Sequence, residues 1–103
     1  MAHEVKDVDP GQAKGLMDAG WRVLDVRTDE EWAQGHIAGS VHVPMTQVVE
    51  EIGGHLEHPI LVVCASGGRS SRVAQYLALQ GIEAANLDGG LHAWEDAGLP
   101  VER

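Results

Sequence analysis

Short apolar runs alternate along the chain with segments whose apolar positions recur at helical spacing. The strongest run, Ile60–Val63, consists of four consecutive aliphatic residues, which is typical of a strand covered on both faces. Weaker runs predict strands at 21–26, 41–44 and 84–87, and helical spacing predicts helices at 10–19, 29–34, 46–52, 70–80 and 91–97.

Polar residues mark where three of these helices begin. Asp9, followed by proline, is a predicted N-cap. Thr28 and Glu31 have the spacing of a capping box, in which each side chain bonds the other residue's backbone. Thr46 is expected to cap the helix that runs through Ile52 to a glycine pair.

The alternation of strands and helices predicts an α/β domain with a mainly parallel sheet, although the pattern leaves the strand order open. The chain has 103 residues, of which 44% are hydrophobic and 22% are charged. These values are ordinary for a folded domain, and the length suits one domain rather than two. We therefore expect residues 1–103 to form a single domain.

The charge balance narrows the choice of partners. The formal net charge of -9 argues against nucleic acid, whose phosphates need clustered Lys and Arg. The same charge repels small anions, so an anionic substrate would require a local trap. No long apolar stretch suggests a signal peptide or a membrane span, and we expect a cytoplasmic protein that has no membrane partner.

The chain contains one cysteine, Cys64, which excludes an intramolecular disulfide and a two-cysteine redox site. Cys64 is predicted to end the most apolar strand, where open α/β sheets bind ligands. A loop of five residues follows: Ala65, Ser66, Gly67, Gly68 and Arg69.

This loop has the composition of an anion trap. Gly67 and Gly68 permit positive φ angles and a close approach of the backbone N–H groups to an anion. The helix that follows contributes the positive end of its dipole, and Arg69 contributes a full charge. The same features lower the pKa of a neighbouring thiol.

A thiolate held in this way is a prepared nucleophile, and a sulfur atom added to it would carry its charge within the same loop. The alternative is that Cys64 is an inert, buried thiol at the end of a core strand. The Gly-Gly-Arg-Ser sequence that opens the next helix favours the reactive interpretation.

Four groups of motifs resemble the rhodanese family, and they occur in the order in which that family has them. Each is weak alone, but together they cover nearly the whole chain. They are Leu24-Asp25-Val26-Arg27; Glu31-Trp32 with Gly35 to Ser40 and Val43-Pro44; Cys64 to Ser70; and Asp88 to Leu91 with Trp94, Gly98 and Pro100.

The resemblance implies a three-layer α/β domain in which a five-stranded, mainly parallel sheet carries helices on both faces. It also implies a sulfurtransferase that moves a sulfane sulfur from a donor such as thiosulfate, through a persulfide on Cys64, to cyanide or a thiol. The acceptors left open are glutathione, thioredoxin and a partner protein. By this resemblance Cys64 is the nucleophile, no cofactor is required, and the sulfur is held by Ala65, Ser66, Gly67, Gly68 and Arg69.

Two positions in the loop leave the choice of donor open. Arg69 either contacts an anionic donor or packs its aliphatic stem over the start of the helix. Ala65 lies where many members of the resembled family carry a larger or charged residue. The mouth of the loop is therefore expected to be less cationic, and a preference for thiosulfate does not follow.

Other polar residues are better explained by structural roles. Asp25 and Arg27 lie two residues apart near a strand end and so point the same way, which predicts an ion pair. His36 is expected to brace a turn rather than to act as a base. None of the predicted helices carries two histidines, so we expect no metal site, and the three tryptophans are expected to be core or lid residues.

Two other functions compete with sulfur transfer by an enzyme. Cysteine phosphatases and arsenate reductases also place Cys before an anion loop that ends in Arg, but tyrosine-phosphatase loops hold five residues between the two. Here four residues lie between Cys64 and Arg69, a tighter loop that suits one sulfur atom. The main alternative is a persulfide carrier or regulatory binding module with little turnover of its own.

Overall fold

Strands and helices alternate along residues 4–51 and 59–103, the parts of the chain that the computed structural model describes. The strands are β1 (Lys6–Val8), β2 (Arg22–Asp25), β3 (Val41–His42), β4 (Ile60–Val63) and β5 (Ala84–Leu87). The helices are α1 (Pro10–Asp18), α2 (Asp29–Ala33), α3 (Val48–Glu51), α4 (Gly68–Leu79) and α5 (Gly90–Asp96), with a 3₁₀ turn at Met45–Gln47.

The five strands form one sheet in the order β1-β5-β4-β2-β3, and every neighbouring pair is parallel. The predicted α/β fold with a five-stranded parallel sheet is thereby confirmed. The most apolar strand, β4, is central, and all four of its residues are fully buried. Parallel strands end at the same edge of a sheet, so the residue after β4 emerges between its neighbours β5 and β2.

Alternation along β4 divides the core between the two faces of the sheet. Ile60, Val62 and Cys64 pack on one face with apolar residues of α4, whereas Leu61 and Val63 pack on the other with residues of α1 and α5. This period-two pattern confirms that helices cover both faces. It also directs the side chain of Cys64 toward α4.

The predicted caps of the first two helices are confirmed. Asp9 accepts a hydrogen bond from the Gln12 backbone, and Thr28 forms the predicted capping box with Glu31. This box places the Glu31 carboxylate close to the start of α2. Within the described residues, none of the helices combines the length and hydropathy that crossing a membrane requires.

The expected cap at Thr46 is wrong. Thr46 lies inside the 3₁₀ turn, which follows Pro44 and has no side-chain cap. The reason is that the Met45 N–H donates to the carbonyl of Val26 at 3.0 Å, which ties the turn to the sheet one residue earlier. The predicted continuation through Ile52 to the glycine pair lies outside the described residues.

Element boundaries differ from the predictions mainly where glycine is involved. We predicted α4 from residue 70 and α5 from residue 91, but they begin at Gly68 and Gly90. In each case a preceding glycine in the left-handed conformation is the N-cap, Gly67 with φ +102° and Gly89 with φ +76°. The hydrophobic pattern misses such starts because it detects buried side chains, and glycine has none.

Candidate active site

Cys64 directly follows β4 at the carboxyl edge of the sheet, one residue beyond the strand that it was predicted to end. Its residue surface is 1% exposed. The backbone N–H of Gly67 donates to its Sγ at 3.1 Å, and the hydroxyl oxygen of Ser70 lies 3.2 Å from the same sulfur. The loop therefore encloses the sulfur and directs hydrogen-bond donors at it.

The start of α5 determines which groups of the loop face the sulfur. The N–H of Leu91 donates to the carbonyl of Cys64 at 2.8 Å, and the N–H of His92 donates to that of Ala65 at 3.1 Å. With these two carbonyls engaged by α5, the loop's N–H groups remain for the sulfur. The glycine-rich turn before α5 therefore supports the loop directly.

Close packing of backbone on backbone explains two glycines of the site. A Cβ on Gly90 would lie 2.5 Å from the carbonyl carbon and oxygen of Ala65 and from the oxygen of Cys64. A Cβ on Gly67 would lie 3.1 Å from the backbone nitrogen of Gly89. Both glycines have positive φ, so a side chain at either one would strain the backbone as well as crowd it.

The pKa of Cys64 is lowered from its ordinary value, which favours the thiolate. Burial is the largest single influence and acts in the opposite direction, because it disfavours a charge. Hydrogen bonds from the Ser70 hydroxyl and from the backbone of Ser70, Gly67 and Ser66 together outweigh it. The loop thus provides the thiolate stabilisation that the sequence predicts.

Arg69 forms an ion pair that the sequence analysis did not foresee. Its two terminal nitrogens donate to the two carboxylate oxygens of Glu31 at 2.7 and 2.8 Å. These hydrogen bonds are the main reason that the pKa of Glu31 falls to about 2 and that the pKa of Arg69 rises. The guanidinium charge at the loop is therefore largely neutralised by α2.

Asp25 and Arg27 form the predicted ion pair, and both are buried. Arg27 Nη2 donates to Asp25 Oδ2 at 2.8 Å and to the carbonyl of Gly35 at 2.7 Å, and Nη1 donates to the carbonyl of Glu31 at 3.2 Å. The pair therefore holds the middle of α2 and the turn that follows it, and through Glu31 it positions the partner of Arg69.

His36 makes the contacts of a brace. Its ring stacks on Trp32 with 3.6 Å between centroids, and its Nδ1 lies 3.2 Å from the carbonyl oxygen of Trp32. The ring of His42 also stacks on Trp32, with 4.7 Å between the ring centroids. Of the other tryptophans, Trp94 is buried in the core and Trp21 packs at its edge.

The buried polar pair Ser70 and Asn86, beside Cys64, was not predicted from the sequence. Ser70 and Asn86 are both buried, and the Ser70 hydroxyl contacts the side-chain oxygen of Asn86. The available signal was a single Asn within the otherwise apolar strand β5, since a buried amide requires hydrogen-bond partners.

A cavity of about 240 Å³ adjoins the loop and carries charges of both signs. Ala65 forms the wall of this cavity on the side of the loop. Ser66 and Gly68 are exposed on the surface of the protein. Among residues 4–51 and 59–103 no group of three or more His, Cys, Asp or Glu side chains is arranged to bind a metal. The cavity is otherwise lined by Arg27, Glu31, Gln34, Gly35, Leu91, His92, Glu95 and Arg103.

Comparison with known proteins identifies relatives of this chain. The family described as "Rhodanese-like domain" matches residues 9–97. The thiosulfate sulfurtransferase GlpE of Stutzerimonas stutzeri is 37% identical, over 88% of this chain and 85% of that protein. The mitochondrial protein HIGH ARSENIC CONTENT 1 of Arabidopsis thaliana is 35% identical, over 97% of this chain and 68% of that protein.

A solved structure agrees with the fold. The crystal structure of a rhodanese-related protein from Thermoplasma volcanium superposes with a TM-score of 0.88 at 28% identity, covering 94% of this chain and 97% of that one.

Proposed function

We propose, from the premise that this chain belongs to the rhodanese-like domain family, that it transfers sulfane sulfur through a persulfide on Cys64. The observation that carries the proposal is the cradle around Sγ, in which Gly67 N–H and the Ser70 hydroxyl lie at 3.1 and 3.2 Å. A free thiol with this role suits a reducing compartment such as the cytoplasm.

The first half of the reaction loads the cysteine. The Cys64 thiolate attacks the outer sulfur of thiosulfate, a new S–S bond forms, and the bond to the departing group breaks to release sulfite with its electron pair. Two reactants that carry three negative charges give a persulfide anion and a sulfite dianion, so the charge balances. A small-molecule persulfide would react in the same way and release a thiol.

The second half returns the enzyme to its starting state. Cyanide or a thiolate attacks the outer sulfur of the persulfide and leaves with it as thiocyanate or a new persulfide, while the Cys64 thiolate is regenerated. Between the two steps the negative charge lies on the outer sulfur. In this proposal, N–H groups of the same loop, held in place by the fold, stabilise this charge without reorganising.

A persulfide carrier with slow turnover is the second candidate, and one observation favours it. Arg69 is bound at both terminal nitrogens by Glu31, and Ala65 supplies no charge, so the loop offers little attraction to a free dianion. The net charge of -9 adds a repulsive field. A partner protein that delivers or accepts sulfur by direct docking would not depend on that attraction.

Intact-mass measurement after incubation with thiosulfate tests the proposal. We expect the protein to gain the mass of one sulfur atom, to lose it when cyanide is added with release of thiocyanate, and to gain nothing as Cys64→Ser. Because the chain has one cysteine, any added sulfur reports on Cys64. No gain from thiosulfate or from glutathione persulfide would contradict the proposal.

Glu31→Gln separates the two candidates. The substitution leaves the Arg69 charge uncompensated while a glutamine can still complete the capping box. If free thiosulfate is the donor and its attraction limits turnover, loading by thiosulfate should become several-fold faster in this variant. Unchanged slow loading, together with rapid transfer to a protein thiol such as thioredoxin, would favour the carrier.

A further inference from the structure

A chain of hydrogen bonds leads from the active-site sulfur to the edge of the sheet. The Ser70 hydroxyl lies between Cys64 Sγ and Asn86 Oδ1, and Asn86 Nδ2 donates to Asp7 Oδ1 at 3.0 Å. Cys64, Ser70 and Asn86 are buried, whereas Asp7 on β1 is exposed. The chain therefore joins a nucleophile to a surface carboxylate through two buried side chains.

The carboxylate determines how the Asn86 amide is oriented. A carboxylate accepts hydrogen bonds and cannot donate them, so the amide NH₂ must face Asp7 and the amide oxygen must face Ser70. That oxygen requires a donor, and the Ser70 hydroxyl supplies it. A hydroxyl has one hydrogen, however, and a second acceptor, the sulfur of Cys64, lies 3.2 Å away.

The hydroxyl hydrogen must consequently lie in different places in the two charge states of Cys64. When Cys64 is a thiol, its S–H can donate to Ser70, which in turn donates to Asn86. When Cys64 is a thiolate, Ser70 donates to the sulfur, and the buried oxygen of Asn86 loses its donor. Leaving a buried acceptor unsatisfied has a free-energy cost, so ionisation of the thiol is opposed.

We propose that Asn86 is a positioning residue that acts through Ser70, and that by competing for the hydroxyl hydrogen it restrains ionisation of Cys64. Once the sulfur has become a persulfide, the charge lies on the outer atom and the hydroxyl can return to Asn86. The inference rests on the proposed function, because it concerns the nucleophile of that reaction.

Charged side chains on α4, β2 and β1 also influence this region. The Arg69 guanidinium at the start of α4 is attracted by the Cys64 charge, and it also interacts with Asp25 on β2. Asp7 on β1 connects to this chain of hydrogen bonds through Asn86. Within the described part of the chain, neither Arg69 nor Asp25 shares a hydrogen bond with Ser70, so their influence remains when Asn86 is changed, whereas Asp7 loses its connection to Ser70 in such a variant.

A double-mutant cycle between Asn86 and Ser70 tests the inference. The rate of alkylation of Cys64 by iodoacetamide, followed against pH, gives the pKa of the only cysteine in the chain. Asn86→Leu, which cannot accept a hydrogen bond, should lower this pKa by about one unit, and Ser70→Ala should raise it by a similar amount. Adding Asn86→Leu to Ser70→Ala should produce no further shift.

Comparing Asn86→Leu in the presence and in the absence of the Ser70 hydroxyl distinguishes an effect that acts through Ser70 from a general effect on packing. If Asn86→Leu shifts the pKa equally with and without Ser70, or raises it, or leaves it unchanged, the inference is wrong. Asn86→Ala serves as a second variant if leucine prevents folding. Because alkylation requires no sulfur donor, this result is independent of whether Cys64 accepts sulfur in the mass measurement.

Discussion

Helices α4 and α5 begin in the same way but serve different partners. Each follows a left-handed glycine and lacks a side-chain cap. At the start of α4, the N–H of Gly67 points at the Cys64 sulfur. At the start of α5, the N–H groups of Leu91 and His92 point at the carbonyls of Cys64 and Ala65.

The difference shows how one loop can present its donors inward. A loop's carbonyls and N–H groups compete for the same space, and each must find a partner when buried. Because α5 satisfies two carbonyls from outside, the loop can leave its N–H groups to the sulfur. The loop that holds Cys64 therefore depends on α5, which binds carbonyls of that loop rather than the sulfur.

Substitution at the start of α5 should have the largest effect. Gly90→Ala places a Cβ 2.5 Å from the backbone of Ala65 at a residue whose φ is +62°. The backbone at residue 90 and the backbone of Ala65 cannot move apart without disrupting the packing around them. We therefore expect the free energy of unfolding to fall by about 3 kcal/mol or more, with loss of sulfur loading. Urea denaturation and mass measurement check this, and a stable, fully loading variant would refute the supporting role of α5.

Substitution at the start of α4 should cost less. Gly67→Ala meets a softer contact, 3.1 Å to the nitrogen of Gly89, so the left-handed φ is the main cost at about 1–2 kcal/mol. Gly68→Ala is the matched control, because its Cβ would meet no atom within 4 Å apart from its chain neighbours and the backbone of its own helix. In urea denaturation, the free energy of unfolding should be lowest for Gly90→Ala, higher for Gly67→Ala and highest for Gly68→Ala. The value for Gly68→Ala should match that of the unchanged protein to within about 0.5 kcal/mol.

Among the residues that the structure describes, the Glu31–Arg69 pair at the start of α4 has no counterpart at α5, and its effect should be the smallest. Since the folded pKa of Glu31, about 2, lies below its ordinary value, the pair stabilises the fold above that ordinary value and loses this contribution as pH falls toward 2. Both side chains are about one-third exposed, at 30% and 37%, so we expect about 1 kcal/mol at most.

Urea denaturation of Glu31→Gln between pH 7 and pH 2 measures this contribution. The unchanged protein should be the more stable at pH 7, and the two should converge at the acidic end of the range. A constant difference across the range would mean that the charge of Glu31 is not what stabilises the fold.

The parts of the site that lie close together in the chain were predictable. Cys64 and its loop follow an apolar strand, and the glycines and serines of the loop lie next to Cys64 in the sequence. The Glu31–Arg69 and Asp7–Asn86 contacts span 38 and 79 residues, and no periodic pattern encodes which distant side chains meet.

One strand was missed for a related reason. Strand β1 is three residues long, two of them exposed and charged, so its hydrophobic pattern is too weak to detect. The fifth strand therefore entered only through the resemblance to a family, whereas β4, with four buried aliphatic residues, was evident from the residues themselves.

The bond from the Leu91 N–H to the Cys64 carbonyl has a consequence for biosynthesis. A ribosome adds Cys64 well before it adds Leu91, and α5 is the last of the described helices in chain order. Until that turn has emerged and docked, α5 cannot bind the carbonyls of Cys64 and Ala65. The arrangement of hydrogen-bond donors around the Cys64 sulfur is therefore completed only after α5 has folded.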